Sequence, residues 1–219
     1  MTGLGAPLPA KVQAFANESA ILALLLLMVS TIILGMGLPS AVCYLLMAIL
    51  VGSVLDTLDT PPLAAHLFIF YFGMMSMVTP PVALAAYAAA AISKGDVMRT
   101  AFSAFRFALV GFALPFAFVL KPELLMLTKD NQAAGPVMIV ATVGITLIAI
   151  WGLSASIAGF ASRRLALPMR AALLLLSLTI FFTRWQDVQL AAQLVAAVMI
   201  TGLLIWNAKS AGLEVKHSG

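Results

Sequence analysis

The chain has 219 residues, of which 63% are hydrophobic and 9% are charged; its net charge is +4 and its mean hydropathy is +1.11. A soluble domain is about 45–50% apolar and about 25% charged, so this composition excludes a soluble globular enzyme, a disordered protein and a coiled coil. The apolar runs are continuous and near the ~20 residues that a helix needs to cross a bilayer. The composition therefore predicts an all-α integral membrane protein whose basic residues, lying between the apolar runs, set its orientation and bind no nucleic acid.

The first long apolar run is interrupted by two glycines and a proline. Residues 1–17 are mixed in character and predict an extramembrane lead-in, after which no charge occurs between residues 19 and 55. The interruption, Gly35–Ser40, separates arms at 19–34 and 41–55 that are both shorter than a comfortable span. Because the interruption has no charge, a re-entrant helical hairpin with its tip at membrane depth is the favoured interpretation. Two short full spans joined by an apolar turn remain the alternative.

The second apolar run, residues 63–93, contains two consecutive prolines near its middle. Pro80–Pro81 removes two backbone donors and obstructs the preceding turn. The pattern predicts a discontinuous helix that breaks near Thr79 and resumes through Ala83–Ile92, where nearly every side chain is small and neighbouring helices can approach closely. Together with the hairpin, this helix forms a predicted transport-type region at 18–93.

About four further transmembrane helices are expected in residues 94–206, and a polar tail is expected at 207–219. The predicted spans are 101–120, 136–160, 171–183 and 188–206. Pro115 is expected to kink the first of these spans. The basic residues are concentrated on the side of the membrane that holds the tail, so the positive-inside rule places the C-terminus in the cytoplasm.

The two breaks predict a binding site. An unpaired backbone group in lipid costs several kcal/mol, so broken helices persist where protein or a water-filled cavity satisfies them. Their freed carbonyls suit a cation such as Na⁺, and the positive N-terminal ends of half-helices suit an anion. Ser40, Ser76 and Thr79 place hydroxyls beside the breaks. The residues alone support a site for an ion or anion and two packing kinks about equally.

Other polar residues carry no recognisable chemistry. His66 has no second histidine or cysteine at metal-ligand spacing, so we expect a packed or hydrogen-bonded helix residue. Cys43 lies within an apolar run and is expected to be a small buried hydrophobe. The chain has no nucleophile–base pair, P-loop, zinc spacing or dinucleotide fingerprint. We therefore expect a protein that is not an enzyme.

The residues at the two breaks and in the stretch between them form a combination of motifs that is specific enough to compare with known families. It comprises Gly35–Ser40, Pro61–Phe68, Tyr71, Phe72, Ser76 and Thr79–Tyr87. This combination resembles the large membrane subunit of tripartite ATP-independent periplasmic (TRAP) transporters, nearest the fused-permease branch that works with TAXI-type binding proteins. Further residues that resemble this branch are Ala113–Phe116, Lys121–Leu125, Gly152, Gly159, Arg163 and Arg170.

The resemblance implies secondary uptake of small organic acids (carboxylates) into bacteria, driven by a sodium gradient. It places the chain in the cell inner membrane as a multi-pass protein, with Na⁺ as the coupling ion and no other cofactor. The implied mechanism is an elevator built from two inverted repeats, and a periplasmic TAXI-type binding protein would deliver the substrate.

Only one hairpin and one broken helix occur in the sequence. The chain is therefore expected to be a C-terminal part, half of the transporter, that needs the remaining permease segments or a small membrane subunit. The alternative is a non-transporting membrane scaffold or inactive remnant.

The resemblance also implies roles for individual residues. Gly35–Ser40 resembles the second hairpin tip, and Ser76–Ala83 resembles the second broken helix. Sodium would be held by backbone or hydroxyl oxygens of Gly35, Gly37, Ser76, Thr79 and Pro80. The substrate would be contacted by Ser40, Thr79 and Pro81.

Overall fold

The computed structural model describes residues 20–55, 60–183 and 187–217. Every regular element in these ranges is a helix, and the only extended pairings there are isolated bridges at Leu127–Ala133 and Phe160–Arg164. The expectation of an all-α protein is confirmed. The chain divides into two compact units, residues 1–133 and 134–219. The predicted lead-in at 1–17 lies outside the described residues.

The first unit is a set of short helices. They are α1 (Ala20–Gly35), α2 (Ser40–Leu55), α3 (Pro62–Met75), α4 (Leu84–Ser93), α5 (Val97–Ala108) and α6 (Ala113–Leu120), with 3₁₀ turns at Ser76–Val78 and Pro122–Leu125. Helices α1 and α2 have 16 residues each. At 1.5 Å per residue each extends about 24 Å, less than the ~30 Å of bilayer hydrocarbon. This length agrees with a re-entrant hairpin, whose depth in the membrane stays a prediction.

Both predicted helix breaks are present. Helix α1 ends at Gly35 and α2 begins at Ser40, with Gly37 between them at φ +84°, a backbone conformation that favours glycine. Helix α3 passes into the 3₁₀ turn and α4 resumes at Leu84, so the discontinuity encloses Pro80 and Pro81, whose peptide bond is cis. The local chemistry of glycine and proline thus determines where both helices stop.

The predicted span at 101–120 is confirmed as one apolar helical stretch, Val97–Leu120, which is distorted ahead of Pro115. Helix α5 ends at Ala108, and α6 begins only at Ala113. In the turn between them, the N–H of Gly111 bonds the carbonyl of Ala108 at 2.8 Å, three residues back. Proline clashes with the carbonyl four residues before it, which for Pro115 is that of Gly111. The Gly111 carbonyl instead accepts the N–H of Leu114 at 3.2 Å, so the helix tightens into i→i+3 turns ahead of the proline.

Aromatic and small side chains hold the first unit together. Phe68 and Phe72 of α3 meet Phe116 of α6 edge to face, with ring centroids 5.3 and 5.8 Å from that of Phe116. Such pairs contribute about 0.5–1.5 kcal/mol each beyond their buried area. Helices α4 and α5 meet through Ala86 and Ala101, which confirms the expected close approach of small residues. The aromatic contacts fix α3, and hence its broken end, against α6.

The second unit consists, in its described part, of α7 (Pro136–Ala158), α8 (Leu167–Phe182) and α9 (Asp187–His217). Helix α8 begins four residues before the predicted span at 171–183. Helix α9 continues to His217, so most of the predicted polar tail at 207–219 is helical. Residues 184–186, a predicted polar turn, lie outside the described part of the chain.

Glycine and arginine residues of the second unit make contacts between α7 and α8 or end α7. A Cβ on Gly152 would stand 2.7 Å from the Ser177 hydroxyl, so its absence lets α7 and α8 approach. Gly159 ends α7 at φ +71°. The Nε of Arg170 donates to the carbonyl of Ser156 at 3.0 Å, which satisfies one of the last carbonyls of α7. These contacts account for three of the residues in the C-terminal pattern.

The surface composition agrees with a membrane environment. Among the described residues, three apolar stretches are long enough to cross a bilayer: Val97–Leu120, Pro136–Ala158 and Ala191–Lys209. Large apolar side chains are exposed on several helices; Ile49, Ile92 and Phe107 are 84%, 86% and 84% exposed. In water such surfaces would associate, whereas lipid solvates them. The sidedness of the chain stays a prediction.

Candidate functional site

The two predicted breaks meet at a shared hydroxyl. The Oγ of Ser76 lies 3.0 Å from the carbonyl oxygen of Gly35, at the end of α1, and 2.6 Å from that of Gly73, in α3. A serine hydroxyl has one hydrogen, so it donates to only one of these carbonyls at a time. The N–H of Leu38 also approaches the Gly35 carbonyl, at 3.2 Å. Three oxygens therefore converge where the hairpin meets the broken helix.

Two glycines make this convergence possible. A Cβ on Gly35 would stand 2.8 Å from both the Sγ of Cys43 and the Oγ of Ser76. A Cβ on Gly73 would stand 3.3 Å from the same sulfur. Helices α1 and α3 thus contact α2 at Cys43, which is buried as expected. Any larger residue at position 35 would push the hairpin away from the broken helix.

The second break frees main-chain oxygens. In a continuous helix, the carbonyls of Ser76 and Met77 would accept hydrogen bonds from the nitrogens of Pro80 and Pro81, which carry no hydrogen. The N–H of Thr79 reaches the Ser76 carbonyl instead, at 3.3 Å. The Thr79 hydroxyl donates to the Met75 carbonyl at 2.7 Å, and its side chain is largely buried. Thr79 therefore holds the broken end of α3 in shape.

Two helix N-termini adjoin the breaks. Helix α4 begins at Leu84 with no side-chain cap, so the positive end of its dipole is not neutralised by a capping group. Gly37 lies beside this second break, because a Cβ on it would contact the Val82 side chain at 4.0 Å. Helix α2 begins at Ser40, whose hydroxyl has no hydrogen-bond partner within the described ranges. The structure thus joins Gly35 to Ser76 and places the Gly37 turn against the second break.

Three of the predicted residues, Pro80, Pro81 and Ser40, have no described contact with the Ser76 hydroxyl. Pro80 is partly buried within the break, and Pro81 is exposed. The Pro81 carbonyl accepts a hydrogen bond from the Tyr87 hydroxyl, which ties the break to the first turn of α4. Ser40 lies on the α3 side of the hairpin, with its carbonyl 3.9 Å from where a Cβ on Gly73 would stand. The roles predicted for these residues in binding stay predictions.

Three residues that position the site were not identified from the sequence. Gly73 lies three residues before Ser76, a spacing that places both residues on the same face of a helix and could have indicated that they contact the same neighbour. Tyr87 is the one large polar side chain in an alanine-rich stretch, which was a signal for a specific contact. The sequence predicted only that Cys43 is buried, because the glycines that it contacts lie on two other helices.

The site lacks charged side chains. No cluster of three or more His, Cys, Asp or Glu residues able to hold a metal occurs among the described residues. His66 pairs through Nδ1 with the Tyr44 hydroxyl at 3.3 Å, which confirms a hydrogen-bonded helix residue. Any ligand at the breaks would therefore be recognised by neutral oxygens, backbone amides and helix dipoles.

A buried charged pair lies just beyond α6. Lys121 is 1% exposed and Glu123 is 6% exposed. Burial lowers the pKa of Lys121 to about 8, and the nearby Glu123 carboxylate opposes this shift. Burial raises the pKa of Glu123, opposed by a backbone hydrogen bond and by Lys121 and Lys129. We therefore expect the stability of the first unit to depend on pH.

Lys121→Met should remove a rise in stability at alkaline pH. The folded-state pKa of about 8 is below the ordinary lysine value of 10.5, so the unfolded chain binds more protons between these values and the free energy of unfolding rises with pH there. We expect a rise of about 1–3 kcal/mol in the wild type, measured by unfolding in detergent from pH 8 to 10.5. Lys129→Met, which removes an exposed lysine nearby, should keep the rise. A wild type with flat stability in this window would contradict the expected effect.

Together, the long apolar helices and the facing breaks define a multi-pass helical membrane protein. A family model described as "Tripartite ATP-independent periplasmic transporter, DctM component" matches residues 1–133, which is more than half of the 219 residues. The chain belongs to this family. Searches of curated proteins and of solved structures returned no significant match.

The family match defines the class of function. It covers the same residues as the first compact unit, which contains both predicted breaks. The resemblance to the large membrane subunit of TRAP transporters is therefore confirmed at the level of the family. Membership makes the chain a permease component of a membrane transporter, a family that is not one of enzymes. It also implies that the chain works with a periplasmic binding protein and a small membrane subunit.

Proposed function

We propose that the two breaks form one half of a binding site in a sodium-coupled importer of small organic acids. The observation that carries this proposal is the Ser76 hydroxyl, which lies between the carbonyls of Gly35 and Gly73 where the hairpin meets the broken helix. The hydroxyl hydrogen is shared between the two carbonyls, and the Gly35 carbonyl also accepts the N–H of Leu38. Oxygens arranged in this way fit a cation that accepts several of them together.

The chemistry of these oxygens favours Na⁺. All of them are neutral, so they would compensate a single charge better than a double one. Gly35 is the last residue of α1, and the negative end of that helix dipole favours a cation. Gly37, Thr79 and Pro80 lie in the adjoining turns and would supply the remaining oxygens. Broken helices in secondary transporters use freed carbonyls in this way.

An anionic substrate would use the opposite helix ends. The N-termini at Ser40 and Leu84 carry positive dipole ends, which favour a carboxylate. The Ser40 and Thr79 hydroxyls and the backbone at Pro81 would orient it. Neither residues 20–55 nor 60–93 contain a lysine or an arginine. The substrate charge would therefore be balanced by helix dipoles and by the bound Na⁺. Binding of the substrate would in this way depend on binding of the ion.

The other parts of the transporter follow from the same proposal. A second hairpin and a second broken helix would come from further permease segments, so that this chain acts as the C-terminal part of a pair of inverted repeats. A TAXI-type binding protein would deliver the organic acid on the periplasmic side. The chain would lie in the bacterial inner membrane with its C-terminus in the cytoplasm.

Uptake by proteoliposomes tests the proposal. The full chain, together with the partner permease segments and the binding protein, should accumulate radiolabelled carboxylates in a Na⁺ gradient and not in a K⁺ gradient. Thr79→Val and Ser40→Ala should each lower uptake by about tenfold, the effect of losing one hydrogen bond of ~1.4 kcal/mol. Thr179→Val is the control, since that hydroxyl only bonds the Leu175 carbonyl within α8. Uptake that ignores sodium would contradict the proposed coupling. Normal uptake by both site variants would favour helix breaks that serve only packing.

A further inference from the structure

Helices α4 and α5 form a pair that is joined to the rest of the first unit by irregular backbone at both ends. The first joint, residues 76–83, contains the 3₁₀ turn and the two prolines. The second joint, residues 109–112, is the distortion between α5 and α6. Between the joints, α4 and α5 pack on each other through Ala86 and Ala101. The α4–α5 pair is therefore one packed piece with a joint at each of its two connections.

The α4–α5 pair contacts the rest of the unit chiefly at these joints. Within the described part of the chain, the main contacts of α4 and of α5 are with each other and with the 3₁₀ turn Ser76–Val78. The Phe105 ring of α5 also meets Phe112, in the second joint, with centroids 5.6 Å apart. Helix α3, in contrast, packs on α1, α2 and α6. The first unit thus consists of the α4–α5 pair and a four-helix body, which meet at the joints.

Both joints lie against the C-terminal end of α3. The first joint continues directly from this helix, and its Thr79 hydroxyl donates to the Met75 carbonyl at 2.7 Å. In the second joint, a Cβ on Gly111 would stand 3.1 Å from the Cε of Met75 and 3.2 Å from the Tyr71 hydroxyl. Because its two connections start from neighbouring points, the α4–α5 pair can turn about the line through them without stretching either one.

The backbone of both joints is that of a hinge. In the first joint, the nitrogens of Pro80 and Pro81 have no hydrogen to bond the preceding turn. In the second, the N–H groups of Gly111, Phe112 and Ala113 bond carbonyls three residues back, at 2.8, 3.2 and 3.3 Å. Such a stretch of 3₁₀ turns within a helix has poorer hydrogen-bond geometry and often marks a hinge.

A turn at these joints would move one side of the proposed site. The N-terminus of α4, with its positive dipole end, belongs to the α4–α5 pair. The Tyr87 hydroxyl of this pair donates to the Pro81 carbonyl. The Gly35 carbonyl and the end of α3 that leads to Ser76 belong to the four-helix body. The side that suits an anion and the side that suits a cation are therefore on different bodies.

We propose that the α4–α5 pair is a hinged gate that opens and closes the site at the breaks by turning about the two joints. What the gate admits rests on the proposed function, whereas the motion itself does not. Helix α5 has 12 residues, so it is about 18 Å long, and a turn of about 15° moves its far end by about 5 Å. In the closed position the N-terminus of α4 faces the oxygens around Ser76, and in the open position ion and substrate exchange with water.

Distances between spin labels test the motion in the full chain reconstituted with its partner permease segments. Labels on Ile49→Cys in α2 and Ile92→Cys at the far end of α4 span the joints, and both positions are exposed. We expect two populations about 5 Å apart, whose proportions differ between NaCl and choline chloride. Labels on Ile49→Cys and Met74→Cys, which lies on α3 just before the first joint, should give one population in both salts. Cys43 is buried, and the chain without added cysteines reports any label on it.

Pro115→Ala tests the second joint. Alanine supplies an N–H that can bond the Gly111 carbonyl, so α5 and α6 become one regular helix. We expect one population for the Ile49–Ile92 labels and about fivefold slower uptake, since gate motions are often rate-limiting. Stabilisation by sodium should be unchanged, because Pro115 lies outside the breaks. Pro136→Ala is the control: this proline is in the first turn of α7, where its missing N–H has no helical partner, and both readouts should stay as in the wild type.

The outcomes separate the hinge from the proposed function. One population for the wild-type Ile49–Ile92 labels in both salts would overturn the hinge, and this measurement decides alone if Pro115→Ala does not fold. Two populations that persist in a folded Pro115→Ala would exclude the second joint as a hinge. Proportions that ignore sodium in a chain that sodium stabilises would contradict the gate. Two populations in a chain that sodium does not stabilise would support the hinge and contradict the proposed function.

Discussion

Gly35→Ala should destabilise the first unit and abolish uptake. Its new Cβ would stand 2.8 Å from the Cys43 sulfur and 2.8 Å from the Ser76 hydroxyl. Contacts this short require a backbone shift, because both partners lie on helices that are themselves packed. Overpacking of this kind costs typically 1–3 kcal/mol, and the shift would separate the hairpin from the broken helix. The expected result is a lower unfolding midpoint in detergent together with uptake below detection.

The control for this prediction is Gly144→Ala in α7, where a Cβ would meet no atom within 4 Å. It should be neutral or slightly stabilising, since alanine is the better helix former. Adding Cys43→Ala and Ser76→Gly to Gly35→Ala removes both clashing atoms and should restore much of the stability while uptake stays low. If Gly35→Ala behaved like Gly144→Ala, the close crossing of the three helices would be wrong.

Ser76→Ala should weaken sodium binding by about tenfold, because it removes one of the converging oxygens, an effect of ~1.4 kcal/mol. Binding to the folded state stabilises it by mass action, by about 2.7 kcal/mol when the ion is at a hundred times its dissociation constant. At the same sodium concentration the variant should gain only about half as much. The measurement is the unfolding midpoint of the purified chain in NaCl against choline chloride.

Ser154→Ala is the matched control for this measurement. That hydroxyl bonds the carbonyl of Ile150 at 2.7 Å within α7 and faces no break. Its variant should show the full sodium effect of the wild type. A wild type that gains no stability in sodium, or a Ser76→Ala variant that gains as much as the wild type, would contradict a cation site at Ser76.

The breaks were predictable because their causes are local. Gly37 at positive φ and the missing hydrogens of Pro80 and Pro81 act on their own turns of helix, whatever the tertiary structure. The distortion ahead of Pro115 follows the same rule, because a proline acts on the carbonyl four residues before it, which here is that of Gly111.

The assembly of the site was not predictable in the same way. The hydrogen bond between Ser76 and the Gly35 carbonyl joins residues 41 positions apart. Its formation depends on α1 and α3 both contacting α2 at Cys43, which no local pattern encodes. The length of α9 also escaped prediction, because polar residues after Trp206 end a hydrophobic span without ending a helix. Hydropathy indicates whether a residue faces lipid or water. The end of a helix depends instead on capping residues and on helix-breaking residues such as glycine and proline.

Anomalous diffraction from crystals of the full chain soaked in a thallium(I) salt tests for a cation site at the breaks, since Tl⁺ stands in for a monovalent coupling ion and is located by its own scattering. We expect an anomalous peak within coordination distance of the Gly35 carbonyl and the Ser76 hydroxyl, and its disappearance on back-soaking with Na⁺. Peaks found only elsewhere, or a peak at the breaks that Na⁺ does not displace, would contradict it.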